Sequence, residues 1–416
     1  MSSFCLLAFV SVAGASTAAQ TRPPQDPLLR DPNVTAARQA IRSREPDTLD
    51  TQVAICEIPA PPFGEAARAR KVRELFSRAG LERVRIDRAG NVIGERGGRR
   101  PGPATVLSAH LDTVFPRGTD TRVRRRGTEL AGPGISDDCR GLAVMIAVAR
   151  VLSARDLRTE HPLLFVATVG EEGLGDLRGV RHLFAPGGPS IGRFISLDGG
   201  GLGIVSRAVG SHRYRVRFVG PGGHSYGNFG TASPVGALGR AIAAIDAFTV
   251  PSAPKTTFNV GRIGGGTSVN AIAADAWMEV DLRSSGTGAL EELDRRFQEA
   301  VNQAVADENA RWGGRPTVTA EVKRTGIRPA GETAADDPLV ARAVALTAAL
   351  GVDVAPGAGS TDANIPMSLG IPAITIGAGG TSKGAHSPDE RFDSTDSVLG
   401  TERALLVTLA AAGGPS

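Results

Sequence analysis

Four short apolar runs along the chain have the pattern of buried parallel strands. They cover residues 104–109, 163–169, 194–197 and 373–376, and each ends in a turn-forming sequence. A long apolar helix is predicted at 141–152, between the first two runs, where two parallel strands need a crossover. Helical patterning also precedes the first run, between residues 36 and 80. The hydrophobic pattern therefore predicts an α/β fold with a mainly parallel sheet.

The pattern changes between residues 211 and 325. Its predicted elements are a strand at 213–219, a helix at 234–248, strands at 257–263 and 274–283, a helix at 290–309 and a strand near 318–322. This βαββαβ order is the ferredoxin-like arrangement. We therefore predict a second domain, here called the inserted segment (209–325), placed within a first domain formed by residues 34–208 and 326–416.

Metal-competent side chains follow the predicted strands. They are His110 and Asp112 after the first strand, Glu171 and Glu172 after the second, Asp198 after the third, His386 in a Gly-rich loop after the last, and Asp137 before the crossover helix. Ligands in open α/β sheets bind at the carboxyl ends of the strands, so these side chains are expected to meet. Singly, each has an ordinary alternative as a hydrogen-bonded histidine, a solvated acidic pair, a turn residue or a helix cap. Together, imidazoles and carboxylates form a donor set suited to zinc, with cobalt or manganese as alternatives.

The number of candidate ligands favours two metal ions over one. A single catalytic zinc usually keeps three protein ligands and an open position, so His110, Asp137, Glu172, Asp198 and His386 are too many for it. If Asp137 is shared, each ion receives one histidine, one unshared carboxylate and the shared one. The sequence therefore predicts a two-metal centre.

Five short blocks resemble, in order, the signature blocks of the M20 metallopeptidases. They are SAHLDTV (108–114), GPGISDD (132–138), VGEEG (169–173), GGHS (222–225) and GAHS (384–387). That family includes carboxypeptidase G-like enzymes, peptidase T, and acetylornithine and succinyl-diaminopimelate deacylases. Each block alone is a weak signal, but the ordered set is specific, and the resemblance covers nearly the whole chain after residue 32.

The resemblance implies a role for each residue at the strand ends. It assigns His110 and Asp198 to one metal, Glu172 and His386 to the other, Asp137 to both, and to Asp112 the orienting of His110. Glu171 becomes the general base acting with a metal-bridging hydroxide. The resemblance further implies a cis peptide bond between Asp137 and Asp138.

Roles in the inserted segment are also implied by the resemblance. The segment is similar to a lid and dimerisation domain, which implies a homodimer. His224 is expected to reach the partner's active site and stabilise an oxyanion, while Asn270 and Arg283 are expected to hold substrate.

The predicted activity is cleavage of peptide or amide bonds. An aspartate at position 198 resembles the aminopeptidases and di/tripeptidases, and Asp198-Gly199-Gly200 is similar to the peptidase T pattern. The alternative within the family is an N-acyl-amino-acid deacylase or a carboxypeptidase. Arg283 does not separate them, since both substrate classes carry a carboxylate that its planar guanidinium can bind.

Two readings from other classes compete with the metal hydrolase. Residues 223–227 match a Gly-x-Ser-x-Gly nucleophile elbow around Ser225, with Asp362 and His386 following in the order of a serine α/β-hydrolase. That elbow needs a helix immediately after the serine, and the predicted helix starts only at Pro234. The other reading is a catalytically inactive binding protein, which should lack a metal ligand or the base, and none is missing.

Charge does not point to nucleic acid. The chain has a formal net charge of +4, but its densest basic cluster, at 122–126, has no aromatic neighbours, and the chain contains only two Tyr and two Trp. We interpret the cluster as a solvated loop or hairpin. A small-molecule or peptide substrate is therefore favoured over a nucleic-acid partner.

The first residues are similar to a secretory signal peptide. An apolar run at 4–12 is followed by small-residue cleavage patterns, so residues 1–19 are predicted as a signal peptide and the protein as secreted or periplasmic, with a cytoplasmic location as the alternative. The run is too short to span a bilayer.

The cysteines give no disulfide framework. Beyond Cys5, only Cys56 and Cys139 occur, and Cys139 stands where many family members carry lysine. We expect Cys139 to be a small buried residue, with a thiolate near the metals as the alternative.

Overall fold

The computed structural model of the protein describes residues 26–313 and 318–414. The predicted signal peptide, residues 1–19, lies outside the described residues. The helices of the described chain are α1 Pro27–Arg30, α2 Pro32–Ser43, α3 Glu45–Cys56, α4 Ala66–Arg78, α5 Cys139–Ala154, α6 Arg178–Leu183, α7 Pro234–Asp246, α8 Thr287–Arg311, α9 Pro338–Ala349, α10 Asn364–Ser368 and α11 Val398–Ala411. Its strands are β1 Glu82–Ile86, β2 Val92–Arg96, β3 Ala104–His110, β4 Arg124–Arg126, β5 Glu129–Ala131, β6 Leu163–Thr168, β7 Ile191–Leu197, β8 Ile204–Ala208, β9 Gly210–Val219, β10 Gly223–His224, β11 Thr256–Gly265, β12 Ala271–Ile272, β13 Asp275–Ser284, β14 Thr319–Arg328, β15 Gly331–Glu332, β16 Gly357–Gly359, β17 Ala373–Ile376, β18 Thr381–Lys383 and β19 Arg391–Asp393.

A nine-stranded sheet lies at the centre of the chain outside the inserted segment. Its order is β1-β2-β6-β3-β7-β17-β8-β15, with β16 paired to β8. The four predicted strands are the adjacent strands β6, β3, β7 and β17, and they are parallel to one another. The flanking strands β2, β1, β8 and β15 join antiparallel. The predicted α/β class with a mainly parallel sheet is confirmed.

Helices cover both faces of this sheet, which is why its central strands are continuous apolar runs. On one face, Leu107 and Phe165 belong to a core that also contains residues of α5 and α11. On the other face, Val106 and Phe194 belong to a core with residues of α6 and α10. The carboxyl ends of β3, β6, β7 and β17 lie side by side, so the residues that follow these strands emerge on one edge.

The inserted segment forms a four-stranded antiparallel sheet of order β11-β13-β9-β14. Alternate residues of β13 are buried, and these pack with α7 and α8 in a separate apolar core that includes Met278 and Phe297. The other face of this sheet carries the remaining side chains of each strand. The chain order β9-α7-β11-β13-α8-β14 is the ferredoxin-like order predicted from the sequence.

A small sheet of order β18-β19-β5-β4 lies beside the nine-stranded sheet. The basic cluster falls largely on its edge strand β4, Arg124–Arg126, where every residue is exposed. The prediction of a solvated hairpin for this cluster is confirmed. Among the described residues, no helix combines the length and the apolar character that crossing a bilayer requires.

One disulfide joins Cys56 at the end of α3 to Cys139 at the start of α5, with Cα atoms 5.4 Å apart. Both residues are buried in a small cluster with Leu130 and Phe392. Cys139 is buried, as expected, but it is paired, so the alternative of a thiolate near the metals is wrong and the cysteines do form a disulfide. The pairing follows from the packing of α3 against α5, which cysteine spacing alone does not predict.

Candidate metal centre

Five predicted side chains converge at the carboxyl edge of the nine-stranded sheet. They form two groups that share Asp137: His110, Asp137 and Asp198, and Asp137, Glu172 and His386. Within each group the ligand atoms lie within 4.8 Å of one another. The Asp137 carboxylate lies between the two histidines, with Oδ1 3.0 Å from His110 Nε2 and Oδ2 3.1 Å from His386 Nε2. One carboxylate therefore has an imidazole on each oxygen, as a shared ligand would.

The remaining carboxylates complete the two groups from opposite sides. Glu172 Oε1 lies 3.1 Å from His386 Nε2, and Asp198 Oδ1 lies 4.0 Å from His110 Nε2. Asp137 itself precedes α5, and the peptide bond between Asp137 and Asp138 is cis, as the resemblance implied.

Asp112 contacts both His110, its predicted partner, and the loop after β6. Its carboxylate accepts hydrogen bonds from the backbone N–H groups of Glu171, at 3.0 Å, and Glu172, at 2.8 Å. His110 Nδ1 is 3.0 Å from the backbone carbonyl of Asp112 and 3.8 Å from its carboxylate. The carbonyl therefore orients the His110 ring, while the carboxylate fixes the loop that carries Glu171 and Glu172.

Asp138 was not singled out in the sequence, yet it joins two parts of the site. One oxygen accepts a hydrogen bond from the backbone N–H of Gly141 and caps α5, and the other accepts from the backbone N–H of His110, each at 3.0 Å. The helix cap considered for Asp137 is thus supplied by its neighbour. Asp137 is left with its side chain directed at the two histidines.

Negative charge is crowded at this edge. Burial raises the pKa of Asp198 well above its usual range, and burial together with the nearby Glu171 raises the pKa of Glu172 to about 7. The hydrogen bond to Asp137 raises the pKa of His386 to about 9. Burial would raise the pKa of Asp137, but hydrogen bonds from His110 and His386 outweigh it and lower that pKa. The donor set therefore fits divalent cations, which would neutralise the crowded carboxylates.

Glu171 has a cationic partner that the sequence analysis did not identify. Its Oε1 accepts a hydrogen bond from Arg328 Nη1 at 2.8 Å, and its backbone carbonyl accepts another from Arg328 Nη2. Both side chains are buried, and Arg328 Nη1 also lies 3.2 Å from Ser360 Oγ. The last strand predicted in the inserted segment ended near residue 322. The observed strand β14 continues to Arg328 and so brings this residue to Glu171. Glu171 also groups with His110 and Glu172.

Glu390 ties the His386 loop to the Asp137 loop. This fully buried carboxylate accepts backbone N–H groups of Ser136 at 2.8 Å, and of Asp137 and Gly134 at 3.1 Å each. Burial raises its pKa to about 7. An acidic residue in a Gly-rich loop is usually solvated, so nothing in the sequence marks this role.

Glu390→Gln is expected to destabilise the protein by about 1 to 3 kcal/mol, because an amide nitrogen would replace an oxygen that faces backbone donors. Metal retention should weaken as well, since the loop carrying Asp137 loses its anchor. Denaturant unfolding and metal titration check both effects. Glu291→Gln, an exposed change on α8, is the control. Unchanged stability and metal content in Glu390→Gln would refute the anchoring role.

The three predicted residues of the inserted segment stand apart from the five. Among the described residues, no hydrogen bond or ion pair joins His224, Asn270 or Arg283 to the clustered side chains. His224, the last residue of β10, lies close to Asn270, since the Ser225 N–H donates to the Asn270 carbonyl at 3.0 Å. Arg283 Nε donates to Asp281 at 2.6 Å.

The serine-hydrolase geometry is absent from the segment around Ser225. The strand before it, β10, has two residues, and the following helix α7 starts at Pro234 rather than directly after the serine. Asp362 is buried and accepts a hydrogen bond from Thr168, while His386 lies in the five-residue cluster.

Known protein sequences match most of this chain. The sequence pattern of peptidase family M20/M25/M40 matches residues 106–411. The uncharacterized protein YqjE of Bacillus subtilis is 25% identical over 380 residues, which are 86% of this chain and 96% of YqjE. An acetylornithine deacetylase of Proteus mirabilis is 27% identical over 311 residues, 69% of this chain and 74% of that enzyme.

The fold has a close counterpart among solved structures. The aminopeptidase PepT of Bacillus cereus superposes with a TM-score of 0.70 at 22% identity, covering 88% of this chain and 98% of PepT. At this identity the likeness establishes the fold alone.

Proposed function

Because the chain belongs to peptidase family M20/M25/M40, we propose that it is a two-metal aminopeptidase or di/tripeptidase. The observation that carries the proposal is Asp137, whose carboxylate is common to two groups of potential ligands. The aspartate at position 198 and the resemblance to peptidase T favour free peptides as substrates.

Two divalent ions, zinc in the first instance, would be held by the five clustered residues. His110 and Asp198 would serve one ion, Glu172 and His386 the other, and Asp137 both. Bound there, the ions would supply Lewis-acid chemistry that lowers the pKa of water toward about 7 and polarises the substrate carbonyl.

Glu171 is the proposed general base. Its carboxylate takes a proton from the attacking water as the new C–O bond forms, and then gives that proton to the leaving amine as the amide C–N bond breaks. Arg328 fixes Oε1 by a hydrogen bond of 2.8 Å and leaves the other oxygen for the proton. The Asp112 carboxylate holds the backbone of this residue in place.

A paired assay separates the proposed activity from its alternatives. The zinc- or cobalt-loaded enzyme is expected to cleave unblocked di- and tripeptides faster than their N-acetylated counterparts. Rates on matched pairs, measured at equal metal loading, provide the test. Faster cleavage of the blocked set would replace the aminopeptidase with an N-acyl-amino-acid deacylase or carboxypeptidase, the activity class suggested by the acetylornithine deacetylase relative.

A homodimer is proposed through the tip of the inserted segment. Large apolar side chains are exposed around His224, among them Tyr226, Phe229 and Val269. Exposed apolar surface of this kind favours a protein partner, and twofold dimers are the commonest assemblies.

Export is proposed from the signal-like sequence at residues 1–19. The Cys56–Cys139 disulfide supports it, because disulfides persist mainly in oxidising compartments. Mass determination of the N-terminus of the protein recovered outside the cytoplasm tests this location.

A further inference from the structure

We propose that the Cys56–Cys139 disulfide positions the ligand shared by the two metals, so that metal affinity rises when this bond forms in an oxidising compartment. The inference rests on the proposed two-metal site and adds a regulation to it. It concerns how Asp137 is held rather than the chemistry at the ions.

The disulfide lies two residues from the shared ligand. Cys139 is the first residue of α5 and follows Asp137 by two positions, while Cys56 is the last residue of α3. Both cysteines are completely buried, and their Cα atoms are 5.4 Å apart. The bond therefore limits how far the backbone of Asp137 can move from the end of α3.

The end of α3 is itself fixed to β3, the strand that ends in His110. The buried guanidinium of Arg68 donates to the backbone carbonyl of Cys56 at 3.2 Å and to that of Leu111 at 2.8 Å. Leu111 directly follows His110, whose Nε2 lies 3.0 Å from Asp137 Oδ1. A continuous path through Arg68 and the disulfide therefore sets the position of Asp137 relative to His110.

The loop before Asp137 has further contacts with α3. Gln52 Nε2 donates to the backbone carbonyl of Ile135 at 2.7 Å, and Cys56 Sγ lies 3.5 Å from the carbonyl oxygen of Pro133. Glu390 binds backbone N–H groups of the same loop. These contacts hold the loop itself, and the disulfide holds the start of α5 directly after it.

The charges of the metal-free site oppose this arrangement. The carboxylates of Asp137, Glu172 and Asp198 are gathered around the two histidines, and like charges brought this close repel one another until a cation binds. With two thiols in place of the disulfide, the loop carrying Asp137 can relax away from the other carboxylates. Metal binding must then restore the arrangement, and the cost of that ordering weakens the affinity.

Formation of the bond couples this positioning to the compartment. The two thiols join their Sγ atoms and release two protons and two electrons, which a protein disulfide of an oxidising compartment accepts as it becomes a dithiol. In a reducing compartment the thiols persist. Because both cysteines are buried, the folded protein then shields the bond from external reductants. The site therefore gains its full metal affinity after export.

Zinc titration of one polypeptide in its two redox forms tests the inference. The oxidised protein should bind zinc about 10- to 100-fold more tightly than protein produced and kept reduced with a phosphine, the usual effect of a group that orients a ligand. Reoxidation of the reduced sample should restore the affinity. The double variant Cys56→Ala, Cys139→Ala should match the reduced form, which excludes zinc binding by free thiols. Amide exchange of residues 132–139 should be faster in both.

Leu346→Ala separates the positioning of a ligand from a general loss of stability. Leu346 is buried on α9, so this change should lower the melting temperature and leave zinc affinity unchanged. All titrations are made well below the melting temperature of the form concerned.

Equal zinc affinity in the oxidised, reduced and double-variant proteins would overturn the inference and leave the disulfide as a stabilising link alone. A reduced form that does not fold would overturn it too, since the bond would then be needed for the fold and not for the ligand. Free thiols at both cysteines in protein recovered outside the cytoplasm would have the same consequence. Failure of the oxidised protein to bind two divalent ions would instead remove the two-metal proposal.

Discussion

Glu171→Gln is expected to lose about 10² to 10⁴ of turnover, roughly 3 to 5 kcal/mol of barrier, while keeping its metal. The amide retains an oxygen that can accept the hydrogen bond from Arg328, so the local geometry should persist. The glutamine amide cannot, however, take a proton from the attacking water. Steady-state rates combined with metal analysis of the purified variant measure both properties.

The control for this prediction is Glu74→Gln, an exposed change on α4. Loss of metal in Glu171→Gln would contradict the assignment and place Glu171 among the ligands, a position its grouping with His110 and Glu172 makes geometrically accessible. Retained metal with retained turnover would require another base.

His224→Ala is expected to lower kcat by about 10² to 10³, the usual effect of removing an oxyanion donor, without disrupting the dimer. His224 Nδ1 accepts hydrogen bonds from the backbone N–H groups of Tyr226 and Gly227, both at 3.2 Å. With Nδ1 accepting, the ring N–H is at Nε2, which is the donor an oxyanion needs. Since no contact joins His224 to the five clustered residues in the described chain, its target would be the partner's site.

Mixing two inactive variants tests action in trans. In a heterodimer of His224→Ala and Glu171→Gln subunits, the site of the first subunit keeps Glu171 and receives His224 from the second. Random exchange of equal amounts should restore about a quarter of the wild-type activity, because half the dimers are mixed and each has one complete site. Phe229→Asp, at the exposed apolar tip, should reduce activity by separating the subunits. Absence of complementation, or full activity of a monomer in sedimentation, would assign His224 no role across the dimer.

The parallel strands and the five converging side chains were predictable because their signals are local. Continuous apolar runs identify β3, β6, β7 and β17, and polar residues directly after such runs must lie at one sheet edge. The ferredoxin-like order of the inserted segment likewise follows from short-range periodicity.

What the sequence could not supply depends on contacts between distant parts of the chain. Arg328 reaches Glu171 only because β14 extends beyond its apolar pattern. Glu390 gains its three donors from a loop more than 250 positions away. The sequence predicts that Asp112 orients His110. It does not show that the backbone N–H groups after β6 donate to the Asp112 carboxylate and lie closer to it than the His110 ring does.

The Cys56–Cys139 bond also closes a covalent ring across a sequence separation of 83. The ring includes His110 and the exposed arginines of β4, and it ends two residues after Asp137. A protease that cuts once at these arginines would therefore leave both fragments covalently joined. The histidine of one proposed metal and the carboxylate shared by both would stay tethered on either side of such a nick, and only reduction would release them.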